Sequence, residues 1–187
     1  MKKILFITLS LSNLLFSQHK SLELGGYAGV NLSSAFGFKG TGFDLGMRLQ
    51  KNFNNFFINT NLTYSNRHLE YSNLYFGDDI NPQKGIIIDN FSVSKQQINS
   101  LVVDLLLGYN INLTNKFLIY PTIGYRKDFS IPANNFDYGS SLIVGFGLKY
   151  ALNKKVNTFF EIQYSTDFAK LYRYKNLSSK IGFSFNL

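Results

Sequence analysis

The feature that most constrains this chain is an alternation of apolar and polar residues that recurs in eight runs between residue 22 and the last residue. A period of two places successive side chains on opposite faces, so each run is expected to form a β-strand. No stretch after residue 20 supplies the ~20 consecutive apolar residues of a transmembrane helix. The runs cover approximately 22–34, 42–50, 56–68, 98–112, 117–128, 138–151, 156–168 and 177–187.

Two kinds of connection alternate between these runs. The short connections are rich in Asn, which tolerates left-handed backbone and suits tight hairpin turns. Short turns at one end and longer loops at the other are typical of outer-membrane barrels, and an even strand number leaves both termini at the short-turn end. The short turns are 51–55, 113–116 and 152–155, and the longer loops are 35–41, 69–97, 129–137 and 169–176.

The two faces of the runs differ sharply in character. One face carries uncharged, mostly large apolar side chains, whereas the other carries Gly, Ser, Asn, Thr and the charged residues. Roughly thirty large apolar side chains would overfill the narrow lumen of eight strands, so a soluble, lipocalin-like barrel is disfavoured. The apolar face is therefore expected to contact lipid. The charged residues of the other face are Glu23, Asp44, Arg48, Arg67, Asp104, Arg126, Lys149, Glu161 and Lys180.

Those charges are expected to pair inside the barrel, because an unpaired buried charge is strongly unfavourable. Residues on sequential antiparallel strands come within reach of each other. Glu161 is accordingly expected to pair with Arg126 or Lys149, which lie on the preceding strands. The paired charges would block the lumen.

Aromatic residues are abundant and charged residues are scarce. The chain has 19 Phe and 12 Tyr but no Trp and no Cys, and only 16% of its residues are charged, against about 25% in soluble domains. The absence of Cys excludes disulfides, thiol catalysis and cysteine metal sites. Aromatic residues near both ends of the strands predict two girdles, roughly 20 Å apart along the barrel axis. They are Tyr64, Tyr125 and Tyr164 on the long-loop side and Tyr109, Tyr150 and Phe117 near the turns.

The first 17 residues have the pattern of a secretory signal peptide. Lys2 and Lys3 precede an apolar run over residues 4–15, and Ser17 supplies a small residue for cleavage. The alternative is a short membrane anchor. Residues 18–187 then form the barrel domain, and removal of the two lysines lowers the formal charge from +8 to +6. That mild excess suits an anionic membrane surface, and nucleic acid is not an expected partner of an exported protein.

The chain resembles the eight-stranded outer-membrane β-barrel families of Gram-negative bacteria, in particular stand-alone barrels with an outer-membrane protein β-barrel domain. The hairpin of residues 101–109 and 119–126 and the closing strand 181–187 carry the resemblance, which covers about residues 22–187. It implies an all-β, antiparallel, up-and-down transmembrane barrel in the outer membrane. It also implies that the insertion machinery reads the last strand, where Phe183, Phe185 and Leu187 alternate, with Leu in place of the commoner terminal Phe.

No catalytic or cofactor motif is present: the sequence lacks His-Glu-x-x-His, a phosphate-binding Gly loop and Gly-x-Ser-x-Gly. We therefore expect a structural or surface-interaction barrel without enzyme activity, cofactor or metal site. Asp78 and Asp79 alone are too few ligands for a divalent cation. The alternatives are a small pore or transporter, or a lipid-modifying enzyme centred on His68 at the long-loop end of the third run.

Two long loops carry the candidates for surface recognition. The arms of the 69–97 loop look like strand extensions around a turn at 77–85, and the 169–176 loop interleaves basic and aromatic residues. Exposed aromatic side chains anchor protein partners, and basic side chains attract the phosphates of lipopolysaccharide. Expected partners are thus outer-membrane lipid, lipopolysaccharide, the barrel insertion machinery and an extracellular or surface protein. The candidates are Tyr71, Tyr75, Phe76, Lys170, Arg173 and Lys175.

The topology predicts that residues 77–85 face the cell exterior. A protease site inserted there should be cut when protease is added to whole cells, because the turn projects beyond the membrane. The measurement is cleavage on intact cells compared with lysed cells. A site that resists protease until lysis would reverse the orientation.

Overall fold

The computed structural model describes residues 22–35, 38–75, 90–131, 140–167 and 175–187. They form β-strands joined by short turns. No helix in these ranges is long and apolar enough to cross a membrane. The strands are β1 (Leu22–Ala35), β2 (Phe38–Phe53), β3 (Phe56–Tyr75), β4 (Asn90–Tyr109), β5 (Ile111–Asn112), β6 (Phe117–Ile131), β7 (Ser140–Ala151), β8 (Val156–Asp167) and β9 (Lys175–Asn186).

All nine strands belong to one antiparallel sheet, and pairing of β4 with β6 closes it into a barrel. The two-residue strand β5 pairs with β6 in the register that β4 would have if it continued past Asn110. β4 and β5 therefore form a single strand with a local interruption, and the barrel is eight-stranded, as the sequence predicted. The first and last described residues meet at the short-turn end, where the Leu187 N–H donates to the Leu22 carbonyl over 2.8 Å.

The pairing register fixes how far the strands tilt. Following paired residues once around the barrel from Leu24 returns to β1 at Ser34, ten residues further along. A stagger of this size tilts eight strands by roughly 40° and leaves an interior just wide enough for side chains to fill. The residues on this path are Leu24, Leu49, Thr60, Leu105, Tyr125, Leu142, Thr166, Lys175 and Ser34.

The two faces divide as the alternation predicts. Large apolar side chains such as Met47, Leu105 and Ile181 are more than half exposed on the outside, whereas Asp104, Glu161 and neighbouring polar residues are buried inside. The predicted girdle residues also point outward. Tyr64, Tyr125 and Tyr164 on the long-loop side and Tyr109 and Tyr150 near the turns are each at least 37% exposed.

The short turns are built as their sequences suggest. Asn54 occupies the left-handed region with φ of 58° in the two-residue turn between β2 and β3. The Thr114 hydroxyl accepts hydrogen bonds from the backbone N–H groups of Lys116 and Phe117. The Asn153 side-chain oxygen accepts the same pair of bonds from Lys155 and Val156. The similarity of the 113–116 and 152–155 segments thus reflects one shared turn structure.

Several predicted boundaries were wrong at the long-loop end. The expected 35–41 loop is reduced to residues 36–37, because β1 and β2 continue pairing up to Ala35 and Phe38. The arms of the 69–97 loop are strand extensions, as the sequence predicted, since β3 and β4 pair as far as Tyr75 and Asn90. Residues 1–21, the turn at 77–85 and most of the 129–137 and 169–176 loops lie outside the described residues.

Position along the barrel should decide the effect of a charge on the outer face. Leu105 lies near the middle of the part of β4 that pairs with β6, residues 99–108, and is 54% exposed, whereas Leu152 lies in a short turn and is 50% exposed. Leu105→Arg should destabilise the barrel by about 2–4 kcal/mol, and Leu152→Arg by about 0–1 kcal/mol, because only the first places a charge near the bilayer midplane. Refolding stability in lipid vesicles measures both. Equal losses would mean that the apolar belt does not span a bilayer.

Candidate functional site

The lumen is filled by a set of buried side chains that we call the plug, and its lowest layer lies next to the short turns. The Lys149 ammonium contacts both oxygens of the Glu23 carboxylate, at 2.8 and 3.1 Å. Ser184 and Asn52 donate further hydrogen bonds to the same carboxylate. Lys149 lies on β7 and Glu23 on β1, three strands apart, so this ion pair bridges the opening.

The next layer is centred on Arg48. Its guanidinium donates to Glu161 over 3.0 Å and to the Tyr120 hydroxyl over 3.3 Å, and it lies 4.5 Å from the centroid of the Phe159 ring. Gln163 donates to the second oxygen of Glu161 over 3.1 Å. Arg48 and Glu161 are each at most 2% exposed. The layer therefore satisfies a fully desolvated ion pair with polar and aromatic contacts on several sides.

The third layer joins opposite walls of the barrel. Arg126 donates two hydrogen bonds to Asp104, at 2.7 and 3.0 Å, and these two residues are direct register partners on β6 and β4. The Lys180 ammonium lies 3.5 Å from the same carboxylate and donates to Gln163 over 2.7 Å. Because β9 and β4 are four strands apart in either direction around the ring, the Lys180–Asp104 contact crosses the full diameter.

The uppermost layer lies toward the long loops. Asp44 accepts hydrogen bonds from Asn31 at 2.8 Å and from Ser65 at 2.6 Å. Arg67 forms an ion pair with Asp128 at 3.0 Å, and both side chains are at most 3% exposed. Polar and charged side chains thus fill the lumen from the turns almost to the opposite rim.

Four aromatic rings also lie inside the lumen, and the sequence reasoning missed them. Tyr27, Phe57, Tyr120 and Phe159 are at most 7% exposed. Each ring lies over a glycine that is its direct register partner on the next strand, so a Cβ there would overlap the ring. The sequence contains the pattern behind these contacts, because each inward aromatic residue faces an inward glycine on the next strand. Recognising the pairs requires the pairing register of the strands, which the sequence alone does not give. The pairs are Tyr27 with Gly46, Phe57 with Gly108, Tyr120 with Gly147 and Phe159 with Gly182.

Aliphatic side chains enter the lumen as well. Val102, Leu106 and Ile143 are at most 2% exposed and point inward. These inward aliphatic side chains were not identified from the sequence.

The nine charged residues predicted to face inward are all buried inside the barrel. Asp128 joins them; it has the same parity on β6 as Arg126 but lies at the end of the predicted strand. With Asp128 counted, five acids and five bases of the described residues are buried on the inward face. The buried formal charge of the plug is thus balanced.

The expected partners of Glu161 were wrong. Arg126 binds Asp104 and Lys149 binds Glu23, whereas the ion pair of Glu161 is with Arg48 on β2. The prediction considered only sequential strands. In a lumen this narrow, long side chains reach across the opening, so the sequence distance between partners does not limit them.

The surface candidates lie at the long-loop end. Tyr71 and Tyr75 are in β3, within a two-stranded ribbon: β3 pairs with β2 only up to Glu70, and β4 pairs with β6 only from Asn99. Phe76, Lys170 and Arg173 lie outside the described residues. Lys175 is the exposed first residue of β9.

The two remaining predicted sites face outward. His68 is exposed on β3, opposite Thr41 and Gln97. Phe183, Phe185 and Leu187 are 54%, 52% and 73% exposed along the end of the chain that includes β9. They present an alternating apolar edge beside the short turns.

The sequence and the fold were compared with known proteins. A family model described as the outer membrane protein beta-barrel domain matches residues 5–186. No curated protein matches the sequence.

Several solved structures are similar in fold. OprG, an outer membrane protein from Pseudomonas aeruginosa, is 16% identical with a TM-score of 0.58, and the match covers 90% of this chain and 96% of that one. Neisserial surface protein A is 11% identical with a TM-score of 0.57, covering 89% and 97%. Ail of Yersinia pestis, solved in complex with the heparin analogue sucrose octasulfate, is 12% identical with a TM-score of 0.53, covering 91% and 100%.

The Arg48–Glu161 pair should show strong coupling. Glu161→Ala should destabilise the barrel by about 3–5 kcal/mol, because it leaves a buried guanidinium without its carboxylate. Adding Arg48→Ala should recover part of that loss. Urea midpoints of the refolded single and double variants give the coupling energy.

Arg67→Ala is the matched control for this comparison of single and double variants, since Arg67 is equally buried but pairs with Asp128. Combined with Glu161→Ala, its effect should be additive within about 0.5 kcal/mol. Additivity with Arg48→Ala as well would contradict the observed pairing.

Proposed function

Because this chain belongs to the family of outer-membrane protein β-barrel domains, we propose that it is a closed, non-conducting barrel that displays an interaction surface outside the cell. Its location is the outer membrane of a Gram-negative bacterium. The barrel wall anchors the protein, the plug seals the lumen, and the long-loop end meets external partners.

The main support for the proposal of a sealed lumen is the Lys180–Asp104 contact across the diameter of the barrel. An ion moving through the lumen would have to pass this contact and the two cross-lumen pairs below it, Arg48–Glu161 and Lys149–Glu23. Each of these side chains is at most 7% exposed. Separating them in a dry interior is strongly unfavourable, so the plug is expected to stay closed. This argues against the alternative of a small pore.

The β3–β4 ribbon supports the display role. Residues 71–75 of β3 pair with residues 90–94 of β4, and neither segment pairs with a third strand among the described residues. A two-stranded ribbon presents unpaired backbone N–H and C=O groups along both edges, and an extended segment of a partner can pair with such an edge. We propose that this ribbon, with Tyr71 and Tyr75, forms the main contact with an extracellular or surface protein.

The lipid-modifying alternative receives no support from the surroundings of His68. An activated nucleophile needs a hydroxyl within hydrogen-bond reach of the imidazole. Among the described residues no hydroxyl is hydrogen-bonded to His68, and its cross-strand neighbours are Thr41 and Gln97. We propose a role without catalysis.

Export and insertion complete the proposal. Residues 1–17 would direct secretion and be removed, leaving residues 18–187 as the barrel. The outward, alternating Phe183, Phe185 and Leu187 would be read by the insertion machinery. These roles rest on the sequence pattern and on the exposure of the final strand.

Conductance in planar bilayers tests the sealed lumen. The refolded wild-type protein should show no steady channel current. A variant with Arg48, Glu161, Asp104, Lys180, Lys149 and Glu23 all replaced by Ser should conduct, because it removes the three cross-lumen pairs without changing the net charge.

The control variant removes a charge pair elsewhere. Glu70→Ser with Lys95→Ser eliminates the exposed ion pair of the ribbon, which measures 3.1 Å, and should remain silent. A steady open channel in the wild type would refute the sealed barrel and favour the pore.

A further inference from the structure

A groove lies on the outer face of the barrel at the long-loop end of β1, β2, β8 and β9. We call it the rim groove. Its volume is about 440 Å³, and its lining includes Leu32, Ser34, Lys39, Tyr164, Lys175 and Leu177. It is separate from the plug and from the β3–β4 ribbon.

The upper side of the rim groove is cationic. Ser34 of β1 pairs with Lys39 of β2 on one side and with Lys175 of β9 on the other. Register partners point to the same face of the sheet, so the two lysines flank a small side chain on the outer surface. Both lysines are exposed.

No acidic side chain of the described residues neutralises this pair. Glu70 is the register partner of Lys39 on β3, but its ion pair is with Lys95 on β4, at 3.1 Å. Neither Lys39 nor Lys175 makes an ion pair with a described acid. Two positive charges therefore remain on the outer surface, available to an anion.

The lower side of the rim groove is apolar. Leu177 of β9 pairs with Leu32 of β1 and with Tyr164 of β8, so these three side chains form a row next to the lysines on the membrane side. The exposed fraction is 55% for Leu32, 43% for Leu177 and 39% for Tyr164. The groove thus combines a cationic upper side with an apolar lower side that continues into the lipid-facing belt.

We propose that the rim groove binds a phosphorylated lipid of the outer leaflet, the lipid A part of lipopolysaccharide. Its phosphates contact the Lys39 and Lys175 ammonium groups, and an acyl chain lies over Leu32, Leu177 and Tyr164. Lysine is a point-charge phosphate ligand, and a basic side chain near a membrane surface is attracted to an anionic headgroup. The inference rests on the proposed function in one respect: the long-loop end must face outward.

The test uses the full barrel refolded in detergent micelles, with diphosphorylated lipid A as the probe and native mass spectrometry as the readout. The wild type should retain one lipid A more tightly than phosphatidylglycerol. Lys39→Gln with Lys175→Gln should weaken that retention roughly tenfold or more, since two phosphate contacts are lost. Lipid A without phosphates should bind the wild type and this variant equally.

The matched control is Lys116→Gln with Lys154→Gln, which removes the same charge from exposed positions in the short turns. Its retention of lipid A should equal that of the wild type. Equal weakening in both double variants, or none in either, would overturn the site, as would full displacement of lipid A by millimolar inorganic phosphate. Channel current is measured separately, so an open lumen would refute the sealed barrel without affecting this result.

Discussion

In hydrocarbon, each unpaired backbone N–H or C=O group is unfavourable by several kcal/mol, and only a closed sheet removes the edges where such groups lie. Closure between β4 and β6 meets this requirement. The stagger of ten residues that accompanies closure sets the tilt and therefore the width of the interior. Because that interior is narrow, inward side chains from all strands meet each other, and the chemistry of the lumen follows from the geometry of the wall.

The plug resolves two conflicting demands on the inward face. Large rings such as Tyr120 fit only because a glycine lies opposite each of them, and the charged groups fit only because each finds a partner across the opening or beside it. A balanced set of five acids and five bases leaves no net charge buried on this face. Charge pairing and close packing of the rings are thereby reached together, although several buried amide and hydroxyl groups, such as those of Asn59 and Ser100, lack a hydrogen-bond partner among the described residues.

The sequence was informative wherever the structure depends only on which face of a strand each residue occupies. A period of two was enough to predict eight strands, the lipid-facing side chains, the three short turns and the inward position of residues such as Asp104 and Glu161. It did not predict that Glu161 binds Arg48, because that contact depends on the stagger of the whole barrel, to which every pairing contributes. The arms of the β3–β4 ribbon were predicted as strand extensions, and the pairing of β3 with β4 up to Tyr75 and Asn90 confirms them.

The position of Lys180 on β9, the last strand, has a consequence for the number of strands in the barrel. A ring closed prematurely between β8 and β1 would have seven strands, and it would lack the ammonium group that meets Asp104 and Gln163. It would also lack Ser184, which donates to Glu23, and Gly182, over which Phe159 lies. The interior contacts therefore disfavour a smaller ring, because the same strand that closes the wall also supplies partners for Asp104, Glu23 and Phe159.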